Sequence, residues 1–271
     1  MDYPAQLPGA ARTPRNPLAV SLAVWNALFL REAVARLSAT RGAWLFLVLE
    51  PMLHAGVMVF IFSVLRARSV AGADVTVWLA LGLTGFFTAR NVFQRSMKAI
   101  DANQALFAYR QVRPIDTVIV RAMLETLLGF IVMMGLLGAL AFLGHSVLPH
   151  APMESIFSFT GLVLCGFGIG LIISVLGELI PEAGDIIAFL FWPLYFLSGV
   201  IIPLSIIPVQ YREWLFYNPF AHGLELLRGS FFPVYHAAPE ANFGYLYGFA
   251  LASIFLGLAL HARFAQKLRA K

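Results

Sequence analysis

Charged residues are scarce in this chain. They make up 12% of its 271 residues, about half the fraction of an average soluble domain. Too few ionisable groups remain to cover a water-soluble surface. Cysteine occurs once, at Cys165 inside an apolar run, so no internal disulfide can form. The only lysines are Lys98, Lys267 and Lys271, and none of them follows glycine. A phosphate-binding loop needs Gly-Lys followed by Ser or Thr, so any nucleotide energy must come from another chain. There is no His-Glu-x-x-His helix and no Gly-x-Ser-x-Gly elbow, which removes two common hydrolytic chemistries. His222 and Glu225 have helical spacing, but two ligands do not make a metal site. The expected catalytic, cofactor and metal residues of this chain are therefore none.

Apolar length is abundant instead. The chain is 60% hydrophobic, with a mean hydropathy of +0.80. Trp44 to Leu65 is the clearest run, interrupted only by the ionisable Glu50 and His54. A helix of that length crosses a hydrocarbon core of about 30 Å. The sequence predicts an all-α integral membrane protein with six spans, at 44–65, 75–94, 117–143, 156–177, 185–206 and 243–262. These lie in one permease domain, 41–265. Pro4, Pro8, Pro14 and Pro17 make 1–17 a flexible tail. The stretch 18–40 reads as an amphipathic interface helix, with Leu18, Leu22, Trp25, Phe29, Ala33 and Leu37 on one stripe and Arg31 and Arg36 facing elsewhere. A signal peptide is the competing reading, but Arg31 and Glu32 stand where its cleavage region should be neutral.

Basic residues set the orientation. Arg12, Arg15, Arg31, Arg36, Arg41, Arg95, Lys98, Arg110, Arg113, Arg263, Lys267, Arg269 and Lys271 fall on one side of this arrangement. Only Arg66, Arg68, Arg212 and Arg228 fall on the other. Both termini are expected in the cytoplasm. This clustering at span ends is orientation chemistry, not a nucleic-acid stripe, and no nucleic-acid partner is expected. Segment 207–242 holds two apolar stretches, each too short to span, broken at Asn218-Pro219. The expectation is a pair of re-entrant helices dipping into the outer leaflet, with His222, Glu225 and Arg228 on the second. An external amphipathic hairpin is the alternative.

Several groups invite a functional reading. Glu50 and His54 lie one helical turn apart and share a face. They fix helix packing or line a polar path, and Pro51 weakens the helix between them. Arg121 and Glu125 share the same spacing near a span end, where snorkelling and pairing explain them. Span five is crowded with Phe189, Phe191, Trp192, Tyr195 and Phe196. These are lipid-facing bulk or an aromatic conduit on which sugar rings stack. Gly166, Gly168 and Gly170 mimic a phosphate loop, but Gly166-x-x-x-Gly170 in mid-span reads as close helix packing. The cytoplasmic segment 95–116 is expected to dock a partner. Lys98, Asp101, Asn103 and Gln104 would supply polar contacts, and Ile100, Leu106 and Phe107 apolar ones.

The run Asp101-Ala102-Asn103-Gln104-Ala105-Leu106-Phe107-Ala108-Tyr109-Arg110, followed by Arg113-Pro114-Ile115-Asp116, resembles the permease subunit of group 2 capsular polysaccharide exporters. That family lies within the type-2 ABC transporter superfamily. Arg31-Glu32, Leu49-Glu50-Pro51, Pro193-Leu194-Tyr195-Phe196, Asn218-Pro219, His222 and Glu225 carry the resemblance further, over about residues 25–260. Leu37 to Gly42 departs from the pattern by carrying fewer basic residues. The resemblance implies a homodimer in the bacterial inner membrane with two cytoplasmic ATPase subunits, which bind the ATP and Mg. It implies a lipid-linked polysaccharide moving outward between the two copies, toward a periplasmic adaptor and an outer-membrane channel. On this reading Arg31, Arg36, Arg41, Glu50, His54, Trp192, Tyr195 and Phe196 line the path, and Lys98 to Arg110 couple to the ATPase. Two rivals stand beside it: a type-2 ABC permease for another glycan, teichoic acid or a drug, and an ion-coupled secondary transporter. The second needs paired acidic groups at mid-membrane, where only Glu50 is available.

Overall fold

Prolines and short polar side chains decide where the helices begin. Asp74 caps α3 (Val75–Met97) by accepting the Thr76 amide at 2.8 Å. Pro114 opens α4 (Pro114–Phe142), and Asp116 folds back to accept the Arg113 amide at 2.8 Å. Pro152 opens α5 (Pro152–Leu179). Asn218 caps α8 (Pro219–Phe231), and Asn242 caps α9 (Phe243–Arg263). The remaining helices are α1 (Pro17–Leu37), α2 (Ala43–Leu65), α6 (Pro181–Leu197), α7 (Val209–Leu215) and α10 (Ala265–Arg269), with 3₁₀ turns at Asp101–Ala108 and Leu204–Ile206. The computed structural model describes residues 17–37, 43–65, 69–70, 72–235 and 237–269. The expected tail 1–17 apart from Pro17, and residues 38–42 with Arg41, lie outside them. Glu50 is described only as a helical position of α2.

The protein is a mostly helical membrane protein. A two-residue antiparallel ribbon, Ser69–Val70 against Ala73–Asp74, is its sheet among the described residues. Four described stretches are long and apolar enough to cross a membrane: Leu18–Arg36, Pro114–Phe142, Pro152–Leu179 and Phe243–Arg263. The first is the helix expected to lie in the interface, and it meets the criterion as well. Its expected stripe is split. Leu18 and Leu22 are exposed, while Trp25 turns inward and donates from Nε1 to Asp116 at 2.8 Å. Arg36 also turns inward, against expectation, because carboxylates await it there.

Helix α5 is the central post. It packs on α3, α9, α8 and α6, and the glycines set the spacing. A Cβ on Gly166 would meet the Ala89 carbonyl oxygen at 2.2 Å, and one on Gly170 would meet Ser96 Cβ at 2.5 Å. A Cβ on Gly168 would meet Ser253 Oγ at 2.1 Å. The glycines thus serve close packing against α3 and α9, as their spacing suggested. Around this post, apolar side chains of α4, α6 and α9 point outward; Met134, Phe189 and Phe255 are among those exposed. In a membrane such faces meet lipid or a neighbouring subunit.

One expected span is too long. The sequence predicts helix over 185–206, but α6 stops at Leu197 and the chain reverses at Gly199, whose φ is +74°. Hydropathy cannot see this end, because Val200 through Ile202 are as apolar as the helix before them. The reversal is held by a side chain 28 residues further on. Arg228 Nη1 donates to the Gly199 carbonyl at 2.8 Å and Nη2 to the Val200 carbonyl at 2.7 Å. At the same end of the molecule Asp74 binds His145 Nδ1 at 2.6 Å, tying the start of α3 to the α4–α5 loop. Burial raises the Asp74 carboxyl pKa, but the His145 and Thr76 hydrogen bonds outweigh burial and hold it below the usual carboxylate range. A depressed carboxyl contributes stability at neutral pH and loses it as pH falls through that lowered value.

Candidate functional site

The C-terminal ends of α1 and α3 and the first half of α4 converge on an alternating chain of charges. Arg95 Nε lies 3.5 Å from Glu125 Oε1, and the same oxygen accepts from Arg36 Nη1. Arg36 Nη2 lies 3.3 Å from Glu32, and Glu32 lies 3.2 Å from Arg121 Nε. Arg121 then donates to the Lys98 carbonyl at 3.1 Å, and Arg31 donates to Asn103 Oδ1. The network therefore ties the first described helix to the end of α3 and to the 101–108 segment. The expected local pairing of Arg121 with Glu125 is corrected here. Each reaches a residue on α1 instead, because α1 presents Glu32 and Arg36 one turn apart on the face packed against α4.

Above this network opens a cavity of about 450 Å³ lined by Arg36, Pro51, His54, Ala55, Thr84, Phe87, Thr88, Arg90, Asn91, Arg95, Glu125, Leu128, Gly129 and Val132. Its lining mixes the polar Arg36, His54, Arg90, Asn91, Arg95 and Glu125 with the apolar Ala55, Phe87, Leu128 and Val132. His54 reaches it as the sequence suggested, with its ring 5.8 Å from that of Phe87. Tyr195 stacks on Phe87 at 5.7 Å and 7°, and its ring lies 5.0 Å from that of Phe196. Arg90 sits 6.0 Å from the Phe87 centroid and 5.6 Å from that of Trp192, within cation–π range. The structure thus brings Arg36, His54, Trp192, Tyr195 and Phe196 around one region, with Trp192 and Phe196 exposed. Arg31 belongs to the charge network rather than to the cavity wall.

Sequence reasoning missed Arg90, Arg95 and the long-range partners of Glu125. A signal for Arg90 existed, since an arginine inside a predicted span is a functional candidate by default.

The 95–116 segment differs from expectation. Ile100 is buried among Ala99, Val118, Leu171, Val175 and Leu268, and Phe107 packs half-buried against the same cluster. Asn103 is buried too; it donates to the Ala99 carbonyl at 2.8 Å and marks a kink, with φ −127°. Ile100 and Asn103 hold the segment onto its own protein, and Phe107 packs there in part. Leu106 is only half-buried. Lys98, Asp101, Tyr109 and Arg110 are exposed, and Gln104 reaches Asp101 at 3.4 Å.

The 207–242 residues form a second polar centre, and it is closed. Glu225 and Arg228 are fully buried, 3.8 Å apart. Tyr235 OH donates to the Glu225 carboxylate at 2.9–3.0 Å, and the Ala238 amide adds a bond at 3.2 Å. Arg228 lies over the Trp78 ring at 3.4 Å and donates to the Trp78 carbonyl at 3.2 Å. His222 Nδ1 accepts the Asn242 amide at 3.0 Å, which leaves Nε2–H to donate to the Phe216 carbonyl at 2.7 Å. Asn218 Nδ2 donates to Ser198 Oγ at 2.7 Å. With the Arg228, His222, Tyr235 and Asn218 donors all bonded to the fold, this centre is a structural clamp. No cluster of three or more potential metal ligands occurs among the described residues.

A family model described as ABC-2 type transporter matches residues 24–232. The chain is 36% identical over 247 residues to the polysialic acid transport protein KpsM of Escherichia coli, covering 91% of this chain and 95% of that protein. It is 27% identical over 252 residues to the capsule polysaccharide export inner-membrane protein CtrC of Neisseria meningitidis, covering 92% and 94%. It is 26% identical over 258 residues to the capsule polysaccharide export inner-membrane protein BexB of Haemophilus influenzae, covering 95% and 97%.

Proposed function

We propose, from the premise that this chain belongs to the ABC-2 type transporter family, that it is the membrane permease of a capsular polysaccharide exporter. The observation that carries this reading is end-to-end similarity to a polysialic acid transport protein, 36% identical across 91% of the chain. The chain sits in the bacterial inner membrane as six spans with both termini cytoplasmic. Segment 207–242 is re-entrant, and two copies face each other across the substrate path. The exposed aromatic side of α6 and the cavity beside it support that path, because glycan rings stack on aromatic faces and anions pair with arginine. The aromatic Trp192, Tyr195 and Phe196, the basic Arg31, Arg36 and Arg41, and Glu50 and His54 serve it.

Two cytoplasmic ABC ATPase subunits supply the energy and hold the ATP and Mg. They dock on the exposed residues of 95–116, namely Lys98, Asp101, Tyr109 and Arg110. Lipid-linked polysaccharide leaves toward a periplasmic adaptor and an outer-membrane channel. The purified chain alone is expected to show no ATP hydrolysis, and the same chain co-purified with its cognate ATPase is expected to hydrolyse ATP. Turnover by the lone chain would contradict the division of labour.

A further inference from the structure

The start of α4, the end of α9 and α10 enclose a separate cavity of about 450 Å³ that the proposed path does not use. Arg113 stands on one wall, just before α4, and Arg269 on the other, at the end of α10. Both residues are exposed, and neither has a carboxylate within ion-pair distance among the described residues. The carboxylate closest to Arg113 in sequence is already spent. Asp116 accepts the Arg113 amide through Oδ2 and Trp25 Nε1 through Oδ1. On the other wall no Asp or Glu follows Glu240 in the chain, while Arg263, Lys267, Arg269 and Lys271 all do. Between the two arginines the lining is apolar, with Ile115, Leu258, Ala262 and Leu268. Leu258 is exposed and belongs to α9, one of the helices long and apolar enough to cross a membrane. It precedes Arg263, the last residue of α9, by more than a turn, or about 7 Å along the helix at 1.5 Å per residue. A soluble protein surface does not reach that depth, but an acyl chain does.

We propose that this pocket binds a phospholipid of the cardiolipin class. Its two phosphates pair with Arg113 and Arg269, and its acyl chains run along Leu258 on the lipid side of α9. Two guanidinium groups on opposite walls match a headgroup with two phosphates better than one with a single phosphate. The bound lipid also braces α10. That helix is short, Ala265–Arg269, and its buried Leu268 packs in one cluster with Ile100, Val118, Leu171 and Val175. A lipid that fixes Arg269 therefore steadies Ile100 at the start of the 101–108 segment. This links the surrounding leaflet to the residues proposed to dock the ATPase. Only that last link rests on the export reading, and lipid binding is measured without it.

The test is native mass spectrometry of the full chain in detergent, titrated with cardiolipin and, as control, with phosphatidylcholine. Arg113→Gln combined with Arg269→Gln should weaken the tightest cardiolipin-binding step by about tenfold and leave phosphatidylcholine binding unchanged. Both positions are exposed, and an unchanged melting temperature without lipid confirms the fold of the double variant. Cardiolipin should also slow amide hydrogen exchange over 265–269 by about threefold in the original chain and not in the double variant. Unchanged cardiolipin binding in the folded double variant would overturn the proposal. Full displacement of cardiolipin by millimolar pyrophosphate would overturn it too, because the site would then serve soluble anions. So would loss of ATPase co-purification in the double variant with lipid binding intact, which would give the pocket to the partner protein. Failed export in cells with the lipid contrast intact would count against the export reading alone.

Discussion

Arg228→Met is expected to leave almost no folded protein in the membrane. The substitution keeps most of the side-chain volume but strands the fully buried Glu225 carboxylate. It also removes the donors to the carbonyls of Trp78, Gly199 and Val200. Breaking a buried pair from one side costs about 3–5 kcal/mol, against a total stability of about 5–15 kcal/mol for a typical domain. Arg228→Lys should be nearly as damaging, because one ammonium cannot reach three carbonyls in a planar fork. The double change Glu225→Gln with Arg228→Met removes the stranded charge and should recover part of the loss. Monodispersity and thermal unfolding of the detergent-solubilised chain give the measurement. A well-folded Arg228→Met variant with an unchanged melting temperature would show that the clamp is dispensable.

Gly166→Leu is expected to separate α3 from α5 and to abolish stable expression. Even one methyl there would approach the Ala89 carbonyl oxygen to 2.2 Å. The obstacle is backbone, which cannot swing aside as a flexible side chain can. Helix propensity favours alanine over glycine by about 1 kcal/mol, so a Gly166→Ala loss would have to come from packing. Gly177 supplies the control, since nothing lies within 4 Å of a Cβ placed there. Gly177→Ala should therefore be neutral or mildly stabilising. Equal tolerance at both positions, read by the same thermal unfolding, would contradict the packing role.

Much of the helical frame was legible in the sequence because prolines and polar caps punctuate it. The expected spans 117–143, 156–177 and 243–262 match α4, α5 and α9 to within a few residues, and the Asn218-Pro219 break falls between α7 and α8. What hydropathy could not supply was anything held by distant side chains. The end of α6 depends on Arg228, and the fate of Glu125 depends on α1. The burial of Ile100 has the same source. Apolar residues in a short segment between spans look available to a partner, but the end of α5 and Leu268 cover Ile100 and part of Phe107. His54 and the aromatic side of α6 were legible as path candidates because a polar group or a ring cluster inside a span is conspicuous. Arg90 carried a signal as an arginine inside a predicted span, whereas Arg95 became a candidate only when folding brought it beside Glu125.

The most direct measurement is surface polysaccharide in cells that make lipid-linked capsule and carry the cognate ATPase but have lost their own permease. Expression of this chain should restore polysaccharide to the cell surface, and an ATPase unable to hydrolyse ATP should abolish that restoration. Polysaccharide retained inside cells that hold a folded, membrane-inserted and ATPase-bound chain would contradict the assignment.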